Sequence, residues 1–274
     1  MMKVRAGKKF EDLTIADGFM FAATMVQNKL MCQKLIQMLL ENPKIEAIDY
    51  IEVEKQEKHS YESKGVRFDV YVKGHSGVAY VVEMQTVDTK ELCKRARYYQ
   101  SMADIGQLKK GEKYKDLRDS YVIFICREDV FGHEQYKYSF ENRCSEIEGL
   151  KLRDGTYKVF FNTAGKYGNV SHDVKAFLKF VEGAKSDSSF IKELNEQVEQ
   201  IKKDEKWQVA YMQSLLRDQD MIDKGIDMSK MKIAKHMLAD DFPFFSVSKY
   251  TGLSAPELEN LSKEVNETHE AQSL

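Results

Sequence analysis

The hydrophobic pattern of the first forty residues is helical. Apolar side chains recur at three- and four-residue intervals between residues 10 and 41, and Pro43 ends the run. Such a periodicity places the apolar side chains on one face, which turns toward a core. The pattern therefore predicts a first helix, or a pair of helices, packed against the rest of the protein.

Two alternating segments follow a strand predicted over residues 48–56. In the first segment, one face carries Val66, Phe68, Val70 and Val72, and the other carries Arg67, Asp69 and Tyr71. In the second, Tyr80, Val82 and Met84 share one side, and Val81, Glu83 and Gln85 share the other. The short segment KGHSG separates them. Together they predict a β-hairpin with a polar face.

The register of this hairpin follows from its turn. A loop of residues 75–77, with Gly77 in the left-handed conformation, sets Gly74 opposite Val78 and Asp69 opposite Glu83. Directly opposed residues hold their Cβ atoms about 4.5–5.5 Å apart, so two carboxylates there repel each other unless a cation lies between them. The hairpin therefore predicts a metal site.

The pattern beyond the hairpin alternates between helices and strands. Residues 88–91 resemble a capping box that opens a helix reaching Gly106, and the continuous apolar run at 120–126 is typical of a strand buried on both faces. Residues 156–162 predict another strand and 173–183 an amphipathic helix. The order of elements predicts an α/β fold in the form of an α/β/α sandwich.

The C-terminal third is predicted to be helical. Over residues 190–224, apolar residues at heptad spacing fit either an ordinary helical arm or lid, or a dimerising helix. Residues 227–264 contain three short helical patterns around Gly252. We expect a main domain over residues 1–185, an arm or linker over 186–226, and a helical tail over 227–274.

The composition limits the kinds of metal site and partner that the chain is expected to have. The four cysteines are widely spaced, and the six histidines form neither a zinc-binding nor a protease motif, so a metal site has to be built from carboxylates. A net charge of −2 gives no global attraction to nucleic acid. The chain has no stretch of about 20 apolar residues and no signal-peptide pattern, so we expect a cytoplasmic protein.

The opposed carboxylates have an expected ligand. Asp69 and Glu83, with the main-chain carbonyl of Met84, are predicted to bind Mg²⁺, for which Mn²⁺ can substitute, and this chemistry suits phosphodiester hydrolysis. Gln85 lies on the same face and is expected to orient water or to hold a phosphate oxygen. The alternative is an ordinary polar hairpin face exposed to solvent.

Five segments of the chain, taken in order, resemble the PD-(D/E)XK nuclease family transposases, also called recombination-promoting nucleases. These segments are GVRFDVYV, VVEMQ, RARYYQSM, LKKGEKYKDL and SYVIFICREDVFG. The resemblance implies a restriction-endonuclease-like fold and cleavage of double-stranded DNA. It also implies that Asp69 is the first motif acid and Glu83 the second. Gln85 stands where the general superfamily pattern has lysine, so the transition-state charge must be met by the metal or by other cations.

The residues between 88 and 119 are modestly basic, with nine Lys or Arg against six Asp or Glu, which favours phosphate contacts beside the hairpin. The predicted nucleic-acid contacts are Arg67, Lys94, Arg95, Arg97 and Gln100. Arg67 is expected to be the best-placed cation, because it precedes Asp69 by two residues on the same face. Its alternative role is a salt bridge to Glu83 or to a neighbouring acid.

The tail, from KIAKHMLADD onward, resembles the family's helix-turn-helix tail. Its last predicted helix, opened by Ser254 and Glu257, is acidic, which favours packing or protein contact over reading DNA. The overall expectation is a Mg²⁺-dependent DNA endonuclease, associated with transposition, recombination or defence against mobile DNA and acting as a homodimer. The alternative is a transposase-derived module that binds DNA or protein without cutting.

Overall fold

A mixed β-sheet forms the centre of the compact unit that spans residues 8–208. The computed structural model describes residues 7–57, 66–86, 90–108 and 110–272. Among these residues the sheet has six strands in the order β1-β2-β3-β4-β6-β5. The strands are β1 Ile48–Glu57, β2 Val66–Gly74, β3 Ala79–Gln85, β4 Ser120–Cys126, β5 Lys137–Phe140 and β6 Thr156–Asn162. Strands β3, β4 and β6 are parallel, and the other pairings are antiparallel.

Helices cover both faces of the sheet. The helices of the described chain are α1 Gly18–Gln27, α2 Lys29–Leu40, α3 Leu92–Ile105, α4 His172–Val181, α5 Ser189–Lys203, α6 Glu205–Ala239, α7 Phe244–Thr251 and α8 Ala255–Gln272. Helix α3 packs on the face that carries Val81, Val122 and Phe124. Helix α1 contacts β1, β2 and β3. The predicted α/β/α sandwich with a C-terminal helical extension is confirmed.

Most predicted elements are present. The run at 120–126 is the central strand β4, and all of its residues except Tyr121 are buried. Strand β5 was not predicted, because its sequence KYSF is short and lies at the sheet edge, where no alternation is required. Helix α3 begins at Leu92, and the predicted capping residue Asp88 lies outside the described residues.

The predicted hairpin register is confirmed. Gly77 has a φ of +87°, and the amide of Gly74 donates to the carbonyl of Val78 at 2.9 Å. The paired residues run from Lys73 with Ala79 to Val70 with Val82, and the same register sets the next residues of the two strands opposite each other.

The strict alternation predicted for β2 is wrong at Phe68. Its ring lies 5.1 Å from Tyr99 and 5.9 Å from Tyr71, in the cluster beneath α3, although alternation places it on the opposite face from Tyr71. The described pairing of β2 with β3 ends at Val70, so the more N-terminal part of β2 is not held in the plane of that ladder.

The described chain forms two compact units that divide inside α6, between Gln208 and Val209. Helix α5 belongs to the first unit, since it contacts α1 and α4 and buries Ile191, Leu194, Val198 and Ile201. Its heptad stripe is therefore covered within the same chain, which differs from the expected separate arm beginning at residue 186. The assignment of the three segments to nuclease domain, arm and tail stays a prediction.

The second unit holds the rest of α6 with α7 and α8. Its small core consists of Ala234, Val247, Leu253, Leu258 and Leu261. The first of the three short helical patterns is part of α6, which continues to Ala239. None of the described helices is long and apolar enough to cross a membrane.

Candidate active site

Two carboxylates lie where the paired ladder of β2 and β3 ends. The amide of Asp69 donates to Glu83 Oε1 at 2.8 Å, and the amide of Met84 donates to Asp69 Oδ2 at 3.0 Å. These two hydrogen bonds lie just beyond the last paired residues of the ladder, Val70 and Val82. Each carboxylate is therefore oriented by the backbone of the opposite strand, which brings together the two acids predicted from the sequence.

Glu83 is fully buried, with 0% of its surface exposed. Its pKa is raised well above the usual carboxyl range, first because burial removes water from the charged form and then because Asp69 is a like charge nearby. Arg95 and the hydrogen bond from Asp69 act in the opposite direction. The alternative of an ordinary hairpin face exposed to solvent does not hold at Glu83, because α3 covers it.

Arg95 is the cation that faces this carboxylate. Its Nη2 donates to Glu83 Oε2 at 2.6 Å, and its Nη1 donates to Gln85 Oε1 at 2.7 Å. The guanidinium carbon lies 4.8 Å from the Tyr99 ring centroid and 5.5 Å from that of Phe124. Burial works to lower the pKa of Arg95, but the charge of Glu83 works to raise it and the net shift is upward. Two acceptors and two rings therefore hold one guanidinium in a fixed orientation.

The expectation that Arg67 is the best-placed cation stays a prediction, whereas the cation that contacts Glu83 is Arg95. Arg67 is exposed, and its carbonyl oxygen accepts a hydrogen bond from the Tyr99 hydroxyl at 3.3 Å. Arg95 pairs with Glu83 because α3 follows β3 directly and buries Leu92, Ala96 and Tyr99, which turns Arg95 toward the strand. The helical spacing of Arg95 four residues before the buried Tyr99 is the sequence signal that indicates this position.

The other predicted nucleic-acid contacts separate into two groups. Lys94 and Arg97 are exposed on α3. Gln100 is buried, and its Nε2 donates to the Ser120 carbonyl at 3.1 Å, at the beginning of β4. Contact between Gln100 and nucleic acid conflicts with this burial, because Gln100 lies with Ala96 and Ala103 on the buried side of α3.

Helix α1 also approaches the carboxylates, which the sequence pattern did not indicate. A methyl group on Gly18 would lie 3.6 Å from Asp69 Oδ2, so the first residue of α1 packs against that carboxylate. The preceding residue, Asp17, pairs with Lys8 at 2.7 Å. The glycine leaves space at the carboxylate that a larger side chain would fill.

The oxygen donors at this position suit a hard divalent cation. The carboxylates of Asp69 and Glu83 are the oxygen donors that the geometry brings together, and the carbonyl of Met84 is the further predicted ligand. The described residues contain no cluster of three or more His, Cys, Asp or Glu side chains able to hold a metal. Mg²⁺ does not require one, because it commonly keeps several waters and uses one or two protein carboxylates. The donor set therefore fits the ion, with Arg95 as its neighbour.

Comparison with known families bears on the same part of the chain. A family model described as PD-(D/E)XK nuclease family transposase matches residues 19–160, which is just over half of the chain and extends from α1 into β6. The chain belongs to this family. No curated protein and no solved structure matches it.

As a PD-(D/E)XK nuclease family transposase, the protein belongs to a group of nucleases related to transposition, and PD-(D/E)XK nucleases generally use divalent metal ions. The matched range contains Asp69, Glu83, Gln85 and Arg95. Helices α4 to α8 lie beyond it. The match assigns no role to any residue.

Proposed function

We propose that the protein is a metal-dependent DNA endonuclease that hydrolyses phosphodiester bonds. The observation that carries the proposal is the pair Asp69 and Glu83, oriented by reciprocal hydrogen bonds to the opposite strand. Like charges are costly to keep together in a protein unless their proximity is compensated. In a member of a nuclease family, a bound cation is the compensation that this arrangement favours.

The residues take different roles in this proposal. Asp69, Glu83 and the carbonyl of Met84 would hold Mg²⁺, with Mn²⁺ as a substitute. When bound, the ion supplies polarisation of the phosphate and a lower pKa for the attacking water. Arg95 provides a fixed positive charge beside the carboxylates, where negative charge develops on the phosphate.

Gln85 acts through Arg95 in this proposal. Its Oε1 accepts from Arg95 Nη1, so the residue at the motif's lysine position holds an arginine delivered by the following helix. The charge that a lysine would carry on β3 is thus supplied from α3. Gln85 is accordingly a positioning residue.

The exposed cations near this pair are proposed to contact the DNA backbone. Lys94 and Arg97 lie on the outside of α3, and Arg67 lies on β2. Backbone contacts of this kind give affinity without sequence preference and weaken as salt rises. The protein is further proposed to act on double-stranded DNA as a homodimer, since cutting both strands calls for two sites. Light scattering with only a monomeric mass would contradict the dimer.

The test is cleavage of supercoiled plasmid DNA in Mg²⁺. Asp69→Asn and Glu83→Gln are expected to lose nicking and linearisation, because each removes one anionic ligand while keeping the side-chain shape. Glu193→Gln is the matched control, since Glu193 is a carboxylate of α5 in an exposed pair with Lys34 of α2. Cleavage that survives both site substitutions refutes the site. RNA competitor added to the same reaction separates a DNA nuclease from an RNA nuclease.

A second function is favoured by one observation. Arg95 already satisfies the charge of Glu83, so the carboxylate does not need a metal to be stable in the fold. This suits a transposase-derived module that binds DNA or protein and no longer cuts. The intact protein would then retain DNA in a filter or anisotropy assay but leave plasmid uncut in Mg²⁺ and Mn²⁺ alike.

A further inference from the structure

A surface pocket of about 450 Å³ lies at the side of α3 away from the carboxylates. Three aromatic rings line it, those of Phe131, Phe140 and Phe160, whose centroids lie 5.0–5.7 Å apart. Arg97 and Lys158 also line it. Its volume is in the range of small-ligand pockets, about 300–1,000 Å³. It can therefore admit a flat ring with part of a sugar attached.

The pocket and the proposed active site share one face of the sheet. Glu83 pairs in register with Phe124 on β4, and Phe124 pairs with Phe160 on β6. Neighbouring strands lie about 4.8 Å apart, so the backbone of Phe160 is about 10 Å from that of Glu83. The rings of Phe124 and Phe160 stack at 5.5 Å, and Arg95 lies over Phe124. Because Glu83 and Phe124 are fully buried beneath α3, a DNA strand would pass from the carboxylates to the pocket across the outer side of α3, where Lys94 and Arg97 are exposed.

The chemistry of the pocket matches a nucleotide. Aromatic side chains provide stacking partners for any base, and cations at the rim suit a phosphate. One acid, Glu141, also lines the pocket, but it pairs with Arg143 at 2.6 Å and with Lys151 at 2.9 Å. These two cations reduce its repulsion of a phosphate. Phe140 remains 43% exposed, which leaves part of its ring accessible to a ligand.

We propose that this pocket receives an unstacked nucleobase of the strand being cut, close to the scissile phosphate. The inference rests on the proposed function and refines its substrate: the strand must carry at least one unpaired nucleotide near the cut. Single-stranded DNA satisfies this requirement directly. A duplex satisfies it only where one base has left the stack, which costs unstacking energy.

Cys93 provides a direct reporter, because this exposed free thiol lines the pocket. The protein is prepared with Cys144→Ser, which leaves Cys32 and Cys126, both buried, as the other thiols. The rate of Cys93 alkylation by a maleimide is measured in Ca²⁺ with oligothymidylate of about ten nucleotides, a length suited to single-strand sites. The same rate is measured with a paired duplex and with that duplex carrying one unpaired thymidine.

Occupation of the pocket predicts that the single strand slows alkylation several-fold and that the unpaired thymidine protects more than the fully paired duplex. Phe140→Ala and Arg97→Gln should each abolish the protection and raise the Kd for the single strand, by about tenfold for the lost stacking partner. Tyr167→Ala, which removes an exposed ring of the same unit outside the pocket, should change neither. Circular dichroism checks that each variant is folded.

Two results overturn the inference. One is an alkylation rate that no DNA changes; the other is equal protection by all three DNAs together with insensitivity to Phe140→Ala and Arg97→Gln. Plasmid cleavage is scored separately. Cleavage without protection refutes the pocket and leaves the nuclease, whereas protection without cleavage refutes the nuclease and keeps the pocket as a DNA-binding site.

Discussion

Replacing Arg95 by methionine tests the electrostatic account of the site. The substitution keeps the length of the apolar stem but removes the guanidinium that donates to Glu83 at 2.6 Å. Glu83 then remains fully buried beside Asp69 without its cation. The fold must either keep an uncompensated charge or bind a proton.

The burial of Arg95 and Glu83 sets bounds on the expected loss in the free energy of unfolding. Breaking a buried ion pair by removing one partner costs about 3–5 kcal/mol. Arg95 retains 31% exposure of its side chain, so the pair is partly screened and the loss expected at neutral to alkaline pH is about 2–3 kcal/mol. Protonation of Glu83 limits the loss in acid.

The pH dependence has a definite sign. The pKa of Glu83 is already raised by burial and by Asp69, and removal of Arg95 raises it further. A carboxyl group with a raised pKa in the folded state binds its proton more tightly there than in the unfolded chain. The stability of the variant is therefore greatest below the usual carboxyl pKa and falls as pH rises toward the folded pKa, by up to about 1.4 kcal/mol per unit. The parent protein loses stability in the same way up to its own folded pKa, so the difference between the two proteins widens with rising pH only above that pKa.

Urea unfolding followed by circular dichroism, at about pH 5.5 and about pH 8, measures this widening. The matched control is Arg127→Met, which breaks an ion pair of the same length, 2.6 Å, whose partners are 43% and 35% exposed. Arg127→Met should lower the free energy of unfolding by less than about 1 kcal/mol. The pKa of Glu182 is lowered, chiefly by its hydrogen bond from Arg127, so the control's loss is already complete above the usual carboxyl pKa and stays level over this range. A loss for Arg95→Met that is smaller at pH 8 than at pH 5.5 would refute the reasoning.

Two glycine substitutions should shift the melting temperature in opposite directions. In Gly165→Ala the new methyl group would lie 2.6 Å from Tyr136 Cα, a backbone atom that cannot move aside cheaply, so a loss of about 1–3 kcal/mol is expected. In Gly225→Ala the methyl group enters open space on α6, and the higher helix propensity of alanine should add about 1 kcal/mol. Differential scanning calorimetry measures both, and a gain from Gly165→Ala or a loss from Gly225→Ala would contradict the corresponding contact analysis.

The parts of the site that are local in sequence could be predicted. A glycine at the left-handed turn position and two alternating strands determine the hairpin register, so the opposition of Asp69 and Glu83 follows from the sequence. The same holds for β4, whose unbroken apolar run requires burial on both faces.

The parts that depend on tertiary packing could not be predicted. The helical spacing places Arg95 on the same side of α3 as the buried Tyr99, but its contact with Glu83 also requires α3 to fold back over β3, and an alternating pattern carries no information about that direction. Gln100 is a polar residue on a helix, and it is buried only because its side of α3 packs against the sheet. Strand β5 forms by pairing with β6 at the edge of the sheet. Its own four residues do not indicate this pairing.

The bonds between the carboxylates and the opposite backbone turn two amides into reporters. The amides of Asp69 and Met84 each donate a hydrogen bond to a carboxylate of the site. Their chemical shifts and exchange rates must therefore change whenever either acid gains a proton, a metal ion or a phosphate nearby. An isotope-labelled sample therefore contains its own titration probes. The NMR signals of these two amides, at the end of the ladder between β2 and β3, therefore report what binds at the site before any product is formed.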